Sequence, residues 1–551
     1  MGLMMLLGNQ NVTQYWVDPV AGSNSNAGTM AAPFATIRYA FDRTLKATDN
    51  VIVNVVPSGN LQSGDNLRLL PQHNGATLRL RSATPGSNFT ITDADIFIRV
   101  FANTTSRIRI QDATVTCNKL IYFDGSNLAG RAMHITMAGN CIFTHARSNA
   151  EEAMRLIVPP APNGLGSLQI ESGCQVNGWS APFYFFPGAI GEIDVNGMVC
   201  DGTSSFGGIS YLSGSAVRLR NCSINIPTTG VTNRIQFSCD NSNEVAIENN
   251  TITINSNQSA AIKVIPPPAG SSTTAFVRFI GNTVSGATGT PLVQIGRDLV
   301  EASTIAANNA LVQQFVSTTV TNNDLVQNTL DSGAIQISTG CTGATCTGNY
   351  FRTAQLGDTT NVHQIYLWAD GIQFEDNYCQ CSVLAFGPNQ IIRDNIIVAD
   401  RCILLGGTQG GSQAIAGGNN YTVRDNVMVS FDDDCYSDYA FNGAYPTNLG
   451  TLVADVDANR YVTLSGAAGL ARLTAAGLTA TTITQLRNLW QQSVLSGSGS
   501  GVWGDASNSD NDLTSSHVTS GAGYDSAVSL CVQSAELSRS QLVSLDSAIR
   551  N

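Results

Sequence analysis

Val245-Ala246-Ile247-Glu248-Asn249-Asn250-Thr251-Ile252 is a short alternating run closed by an Asn pair, and the chain repeats it. Val277-Arg278-Phe279-Ile280-Gly281-Asn282-Thr283-Val284 follows, then Thr319-Val320-Thr321-Asn322-Asn323-Asp324-Leu325. Three further copies are Ile372-Gln373-Phe374-Glu375-Asp376-Asn377, Ile391-Ile392-Arg393-Asp394-Asn395-Ile396 and Thr422-Val423-Arg424-Asp425-Asn426-Val427. Asn349 of Thr347-Gly348-Asn349-Tyr350 fills the widest gap, and the period varies from 18 to 41 residues. A unit this short cannot bury its apolar face alone, whereas units stacked in register share one core with strands about 4.8 Å apart. Asn suits the turn because its short amide tolerates the left-handed conformation and can bond to the Asn of the next turn. A sandwich or barrel also yields regularly spaced strands, but it does not require the same Asn-closed run six times. The predicted class is all-β: a right-handed, single-stranded parallel β-helix with short helical caps and a C-terminal extension.

Working outward, residues 105–440 read as the parallel β-helix and 15–104 as an N-terminal cap with the first coils. Residues 1–14 form an apolar N-terminal docking segment, and 441–551 a C-terminal capping or extension region. Helical spacing is confined to Thr36–Leu45 and Ala467–Gln492, with a terminal helix at Ala535–Ile549, while Ser496–Gly501 reads as linker. Variable periods over a constant core mean loops inserted on one side, where binding and chemistry concentrate.

Charged residues make up 12% of the chain, so its surface is built mainly from neutral polar groups. A net charge of −12 without a basic cluster argues against nucleic acid and anionic membrane surfaces. No run approaches the length of a membrane span, and Met1-Gly2-Leu3-Met4-Met5-Leu6-Leu7-Gly8 lacks the basic residues of a secretory leader. The 13 cysteines are an odd number. Cys117, Cys141, Cys174, Cys200 and Cys222 follow the repeat period rather than a zinc-ligand spacing, which predicts reduced, buried thiols stacked in successive turns.

Carboxylates paired across coils are candidates for acid–base chemistry such as glycosidic cleavage, and a base beside a calcium-bound uronate for elimination. Aligning the repeats puts Asp376, Asp394 and Asp425 in one column and Glu375, Arg393 and Arg424 in the next. Adjacent coils bring successive carboxylates to about 5 Å, the separation of a retaining glycosidase pair. The competing reading is structural: Asp before Asn suits this turn in any case, and Glu375 with Arg393 makes a surface ion pair. Sugars are held by aromatic faces. Trp179 with Phe183-Tyr184-Phe185-Phe186 is one such group, and Tyr366 with Trp368 is another. Trp368 and Phe386 both lie nine residues before an Asn anchor, which stacks them on adjacent coils, bordered by Asp370 and Asp400. Such stacks also fill β-helix interiors. Asp432-Asp433-Asp434 with Asp438 reads as a solvated loop, against a cation site or a source of an acid, and His134, His145 and His363 as structural residues.

Tyr15-Trp16-Val17-Asp18-Pro19, continuing through Gly22-Ser23-Asn24-Ser25-Asn26-Ala27-Gly28-Thr29 to Ala32-Pro33-Phe34-Ala35-Thr36-Ile37, resembles the entry segment of pectate-lyase-like β-helix proteins. The repeats resemble the parallel β-helix repeats of that superfamily, which includes polysaccharide hydrolases, lyases, epimerases and phage tailspikes. Absence of a leader, a Ser/Gly/Asn-rich region after Ser493 and a short apolar N-terminus make tailspikes and tail fibres the nearest likeness. The resemblance implies a homotrimer on a virion tail that binds and depolymerises bacterial capsule or O-antigen, docked to tail or baseplate proteins through its N-terminus. It implies no cofactor, although it is compatible with a structural or catalytic calcium. The alternatives are a secreted polysaccharide lyase and a non-catalytic adhesin or fibre.

Overall fold

The computed structural model describes residues 12–43, 50–61, 67–69, 75–101, 107–124, 133–145, 157–158, 165–178, 191–202, 209–212, 215–230, 234–239, 243–272, 274–299, 305–329, 332–353, 364–399, 402–405, 408–409, 415–416, 420–430, 436–438, 454–463, 516–517, 526, 529 and 537–550. The chain is a parallel β-solenoid. Its contacts divide it into two units, Met1–Asn255 and Ser256–Asn551.

In the first unit, Val12–Val17 pairs in parallel with Asn50–Val55, which pairs with Thr77–Ser82, then Arg107–Gln111 and Met133–Ala138. The ladder continues through Leu165–Ile170, Glu192–Asn196, Ala216–Arg220 and Glu244–Glu248. Alternation sets the faces: in Thr77–Ser82, Leu78, Leu80 and Ser82 are buried between exposed or half-buried neighbours. The entry segment closes the end of this unit. Phe34 stacks on Tyr15 and meets Tyr39 edge-on. Thr36 caps the helix Ile37–Asp42, the short helix expected from Thr36–Leu45, by accepting from Tyr39 N.

In the second unit the coils up to Tyr421–Arg424 each contribute three strands among the described residues. One ladder runs Phe276–Ile280, Ser317–Thr321, Thr345–Thr347, Gln373–Glu375, Ile391–Arg393, Tyr421–Arg424 and Ala454–Asp457. A second, reached across a tight turn, runs from Thr283–Gly286 through Asp324–Gln327, Tyr350–Arg352, Tyr378–Gln380, Ile396–Ala399 and Val427–Ser430 to Arg460–Thr463. The third joins Ile262–Ile265, Val293–Ile295, Ile335–Ile337, Gln364–Leu367, Ser382–Ala385, Ile403–Leu405 and Tyr436–Asp438.

The turn divides its work between two adjacent residues, which corrects the expectation that one Asn does both jobs. The left-handed position is the residue before the anchor: Asn322, Gly348, Asp376, Asp394, Asp425 or Ala458. The anchor Asn that follows is buried and forms a ladder. Backbone N and Nδ2 of Asn349 both donate to Asn377 Oδ1 at 3.0 Å, and those of Asn377 to Asn395 Oδ1 at 2.9 and 3.0 Å. The ladder extends from Asn282 and Asn323 up through Asn426 to Asn459, which the repeat alignment did not include. Each Nδ2 from Asn323 to Asn459 uses its second hydrogen on a carbonyl of a lower coil, as Asn377 does on Cys346 O.

In the first unit, thiols occupy this turn position. Cys141, Cys174 and Cys222 each immediately precede the strand after the turn. Cys222 Sγ donates to Val195 O of the coil below, the role that Asn250 Nδ2 plays toward Leu219 O. Cys117 and Cys200 lie instead inside strands, so the five do not form one stack. The described cysteines are all free and buried. Burial pushes the Cys200 and Cys341 thiols up to about 12 and Cys222 up to about 11, so thiolate is scarce at neutral pH. Only Cys435 and Cys531 lie outside the described residues. Titration of the native protein with a thiol reagent should therefore modify at most two of the 13 cysteines, and all of them in denaturant. A third native reactive thiol contradicts this.

Candidate functional site

Two places on the second unit gather side chains capable of chemistry. The first is the outer rim of the Asn-ladder turn. Asp376, Asp394 and Asp425 are exposed there on successive coils, each with positive φ (54°, 57° and 56°). Parallel register places Glu375 opposite Arg393, and Arg393 opposite Arg424, as the repeat alignment predicts. Arg393 grips Glu375 through two hydrogen-bonded contacts, at 2.9 Å from Nε and 3.0 Å from Nη2. Partial loss of surrounding water, then the neighbouring Asp425 and Asp376 carboxylates, hold the Asp394 pKa above the ordinary range, against Arg550 and Arg393.

The left-handed position explains why Asp is tolerated at this rim, but not why three carboxylates follow one another. Asn322, Gly348 and Ala458 meet the same backbone demand on other coils without charge. A carboxylate whose pKa is raised by folding stabilises the fold only while protonated. That contribution is present in the acid range and lost as pH rises through the raised folded value. Asp394→Asn keeps a side chain suited to positive φ, so its denaturation midpoint should exceed the parent's at neutral pH and converge with it in acid. A midpoint difference independent of pH contradicts the repulsion.

The second place is the outer face of the third ladder. Lys263, Gln294, Gln336, Tyr366, Leu384 and Leu404 share one register row. Trp368, two residues beyond Tyr366, meets the Tyr366 ring edge-on at 5.2 Å between centroids. Trp368 packs with Leu384 and Phe386, as the spacing predicts, and Leu299 and Tyr366 flank the three. Phe386 is 0% exposed and Trp368 9%, so this pair is core packing and Phe386 offers no face to a sugar. The half-buried Tyr366 is the ring nearest solvent.

Asp370 is half-buried and accepts from Asn389 Nδ2 at 2.8 Å, which makes it part of a loop junction. Trp179, Phe183, Tyr184, Phe185, Phe186, His363, Asp400 and Asp432–Asp434 lie outside the described residues, as do the segments Met1–Gly8, Ala467–Gln492 and Ser496–Gly501. His134 bonds through Nδ1 to Ser167 at 2.8 Å, on a strand of the first unit.

Sequence reasoning missed Asp298 and the residues that hold it. Gln294 and Gln336 sit in Val293-Gln294-Ile295 and Ile335-Gln336-Ile337, where a Gln flanked by β-branched residues at the same coil position is a readable signal. Asp298 comes from the loop after the first of these and carried no repeat signature. Arg550, which approaches the Asp rim and donates to Asp425 O at 2.8 Å, belongs to a distant segment.

No protein-family model matches this chain, and no curated protein matches it. Among solved structures, it is similar to the GH136 lacto-N-biosidase from Eubacterium ramulus. The selenomethionine derivative of that protein aligns over 82% of this chain and 67% of its own, at 9% identity and a TM-score of 0.32. The native protein aligns over 79% and 66%, at 9% identity and a TM-score of 0.25.

Proposed function

We propose that this protein is a tailspike-like receptor-binding protein that grips bacterial surface polysaccharide, capsule or O-antigen, and hydrolyses it with carboxylates of the Asp376, Asp394 and Asp425 column. The observation that carries the reading is the run of three exposed carboxylates at positions where uncharged residues serve the turn on other coils. Coil spacing of about 4.8 Å fits the roughly 5–5.5 Å of a retaining pair. Asp394, its pKa raised, is the general acid that protonates the glycosidic oxygen. The neighbouring carboxylate of Asp376 or Asp425 attacks the anomeric carbon. Water then releases the glycosyl–enzyme ester, with Asp394 now acting as base. Arg393 and Arg424 flank the column and orient the polymer. Within this reading the working form is a homotrimer on a virion tail, attached to tail or baseplate proteins through residues 1–14.

Incubation with a panel of capsular and lipopolysaccharide preparations, following polymer size and ultraviolet absorbance together, tests the reading. Shortening without new absorbance is expected. Asp394→Asn should lower the rate at least about 100-fold while the turn persists, since Asn adopts the same backbone conformation. New ultraviolet absorbance from an unsaturated product identifies a lyase instead. Binding without shortening identifies an adhesin or fibre.

A further inference from the structure

We propose that the outer face of the third ladder, around Asp298, is a subsite for an uncharged oligosaccharide segment, separate from the Asp rim. The inference rests on the glycan-binding reading above and adds a place and a sugar class to it.

Asp298 is a loop carboxylate held by donors from three successive coils. Gln336 Nε2 donates to its Oδ1 at 2.9 Å, Gln294 Nε2 donates to the same oxygen, and Lys263 Nζ approaches Oδ2 at 3.4 Å. The two amides are almost completely buried, at 5% and 3% exposure, whereas the Asp298 side chain remains 58% exposed. A solvent-facing acceptor is thus fixed by groups that are themselves locked. Ordinary surface carboxylates rotate freely, and fixing this one in advance lowers the entropy cost of binding. Loop pinning alone accounts for the Gln contacts but not for the neighbouring coils.

There the row continues into Tyr366, whose ring meets Trp368 edge-on. Trp368 Nε1 is buried and has no acceptor among the described residues, which leaves a donor stranded. Leu299, next in the chain to Asp298, packs against the cluster that contains Trp368, so the same loop borders both the carboxylate and the indole. One group per coil at about 4.8 Å suits an extended polymer of pyranose units. Asp298 accepts from a sugar hydroxyl, Lys263 donates to one, Tyr366 offers a ring face, and the Trp368 N–H awaits an oxygen. Lys263 already faces Asp298, and the chain carries net −12, so a uronate or sialate would meet uncompensated repulsion. That selects neutral sugars.

The test uses the full chain on an array of neutral O-chain oligosaccharides beside uronate-containing capsule fragments, with Asp298→Ala and the aromatic replacement Trp368→Phe assayed next to Asp394→Asn. Neutral fragments should bind, with affinity about 10-fold weaker in Asp298→Ala and about fivefold weaker in Trp368→Phe. Binding should also change the tryptophan fluorescence of the parent but not of Trp368→Phe, a readout that loop pinning would not produce. Matching denaturation midpoints confirm that the variants fold. Parent-like affinity in both variants overturns the subsite while leaving hydrolysis at the Asp rim standing. Selective binding of uronates overturns the sugar class. Loss of cleavage in Asp394→Asn with binding retained separates the two sites, and a parent that binds nothing on the array removes both readings.

Discussion

Asn377→Ala should destabilise the fold by about 3–6 kcal/mol, read as a lower midpoint of chemical denaturation. The wild-type side chain is fully buried and saturated. Its Oδ1 accepts from Asn349 N and Nδ2, and its Nδ2 donates to Cys346 O and to Asn395 Oδ1. Truncation strands two donors on Asn349 and one acceptor on Cys346, and it removes one of the two donors on Asn395 Oδ1. Each stranded buried group costs about 1–3 kcal/mol, and Asn349, Asn377 and Asn395 are all fully buried. The neighbouring Asp376→Asn, on the exposed rim, is the control and should shift the midpoint little. Cys222→Ala, at the equivalent turn of the first unit, should cost only about 1–2 kcal/mol. A thiol is a weak donor, and the Cys222 backbone N keeps its acceptor, Asn250 Oδ1. Equal midpoints for Asn377→Ala and the parent would show that the ladder contributes nothing.

The ladder was legible because its spacing, its polarity and its place after a β-branched run all recur, and register then fixed which residues share a column. Glu375, Arg393 and Arg424 were aligned from sequence alone because a parallel ladder has no freedom to slip without turning Phe374 and Ile392 outward. Which neighbour of an Asn pair enters the left-handed region was not legible, since Asn322 and Asn323 are chemically identical and only burial separates them. The aromatic pair shows the opposite limit. Spacing stacked Trp368 and Phe386 correctly, but whether such a stack faces sugar or core depends on what else packs there, and Leu299 comes from a loop without repeat signature. Asp298 escaped notice for the same reason. A loop residue reached over variable sequence distance leaves no period to read.

Ending the chain after Glu536 should lower stability by on the order of 5 kcal/mol and expose a dye-binding apolar strip. The removed segment contains the helix Arg539–Arg550, which overlaps the stretch Ala535–Ile549 expected to be helical and buries Leu542, Leu545 and Ile549 at helical spacing. A 12-residue helix is about 18 Å long, close to the roughly 19 Å covered by four strand spacings, so one helix spans five coils lengthwise. Its polar contacts reach one coil further, from Asp324 to Arg460, because the Arg539 and Arg460 side chains bridge the remaining distance. Tyr350 Oη donates to Leu537 O at 2.5 Å, Arg539 Nη1 pairs with Asp324 at 3.0 Å, and Arg539 lies over the Tyr378 ring. At the far end, Arg460 Nη1 donates to Ile549 O at 2.6 Å. The strands beneath confirm the cover. On the lower coils the outward positions are polar, as in Thr283 and Ser285, whereas on the upper coils they are Ile396, Val398, Val427 and Val429, all buried. A strand apolar on both faces needs a second layer, and here a helix remote in sequence supplies it. Leu545→Asp tests the same contact without truncation, because it sets an unpaired charge against that strip and should lift the helix. Denaturation at the parent midpoint for both proteins, with no gain in dye fluorescence, would mean that the coils hold together without the helix. Asp394 should respond too, since removing Arg550 takes away a cation that lowers its pKa. The truncated chain should therefore show an alkaline limb of polymer cleavage displaced to higher pH, because the general acid stays protonated further up the scale.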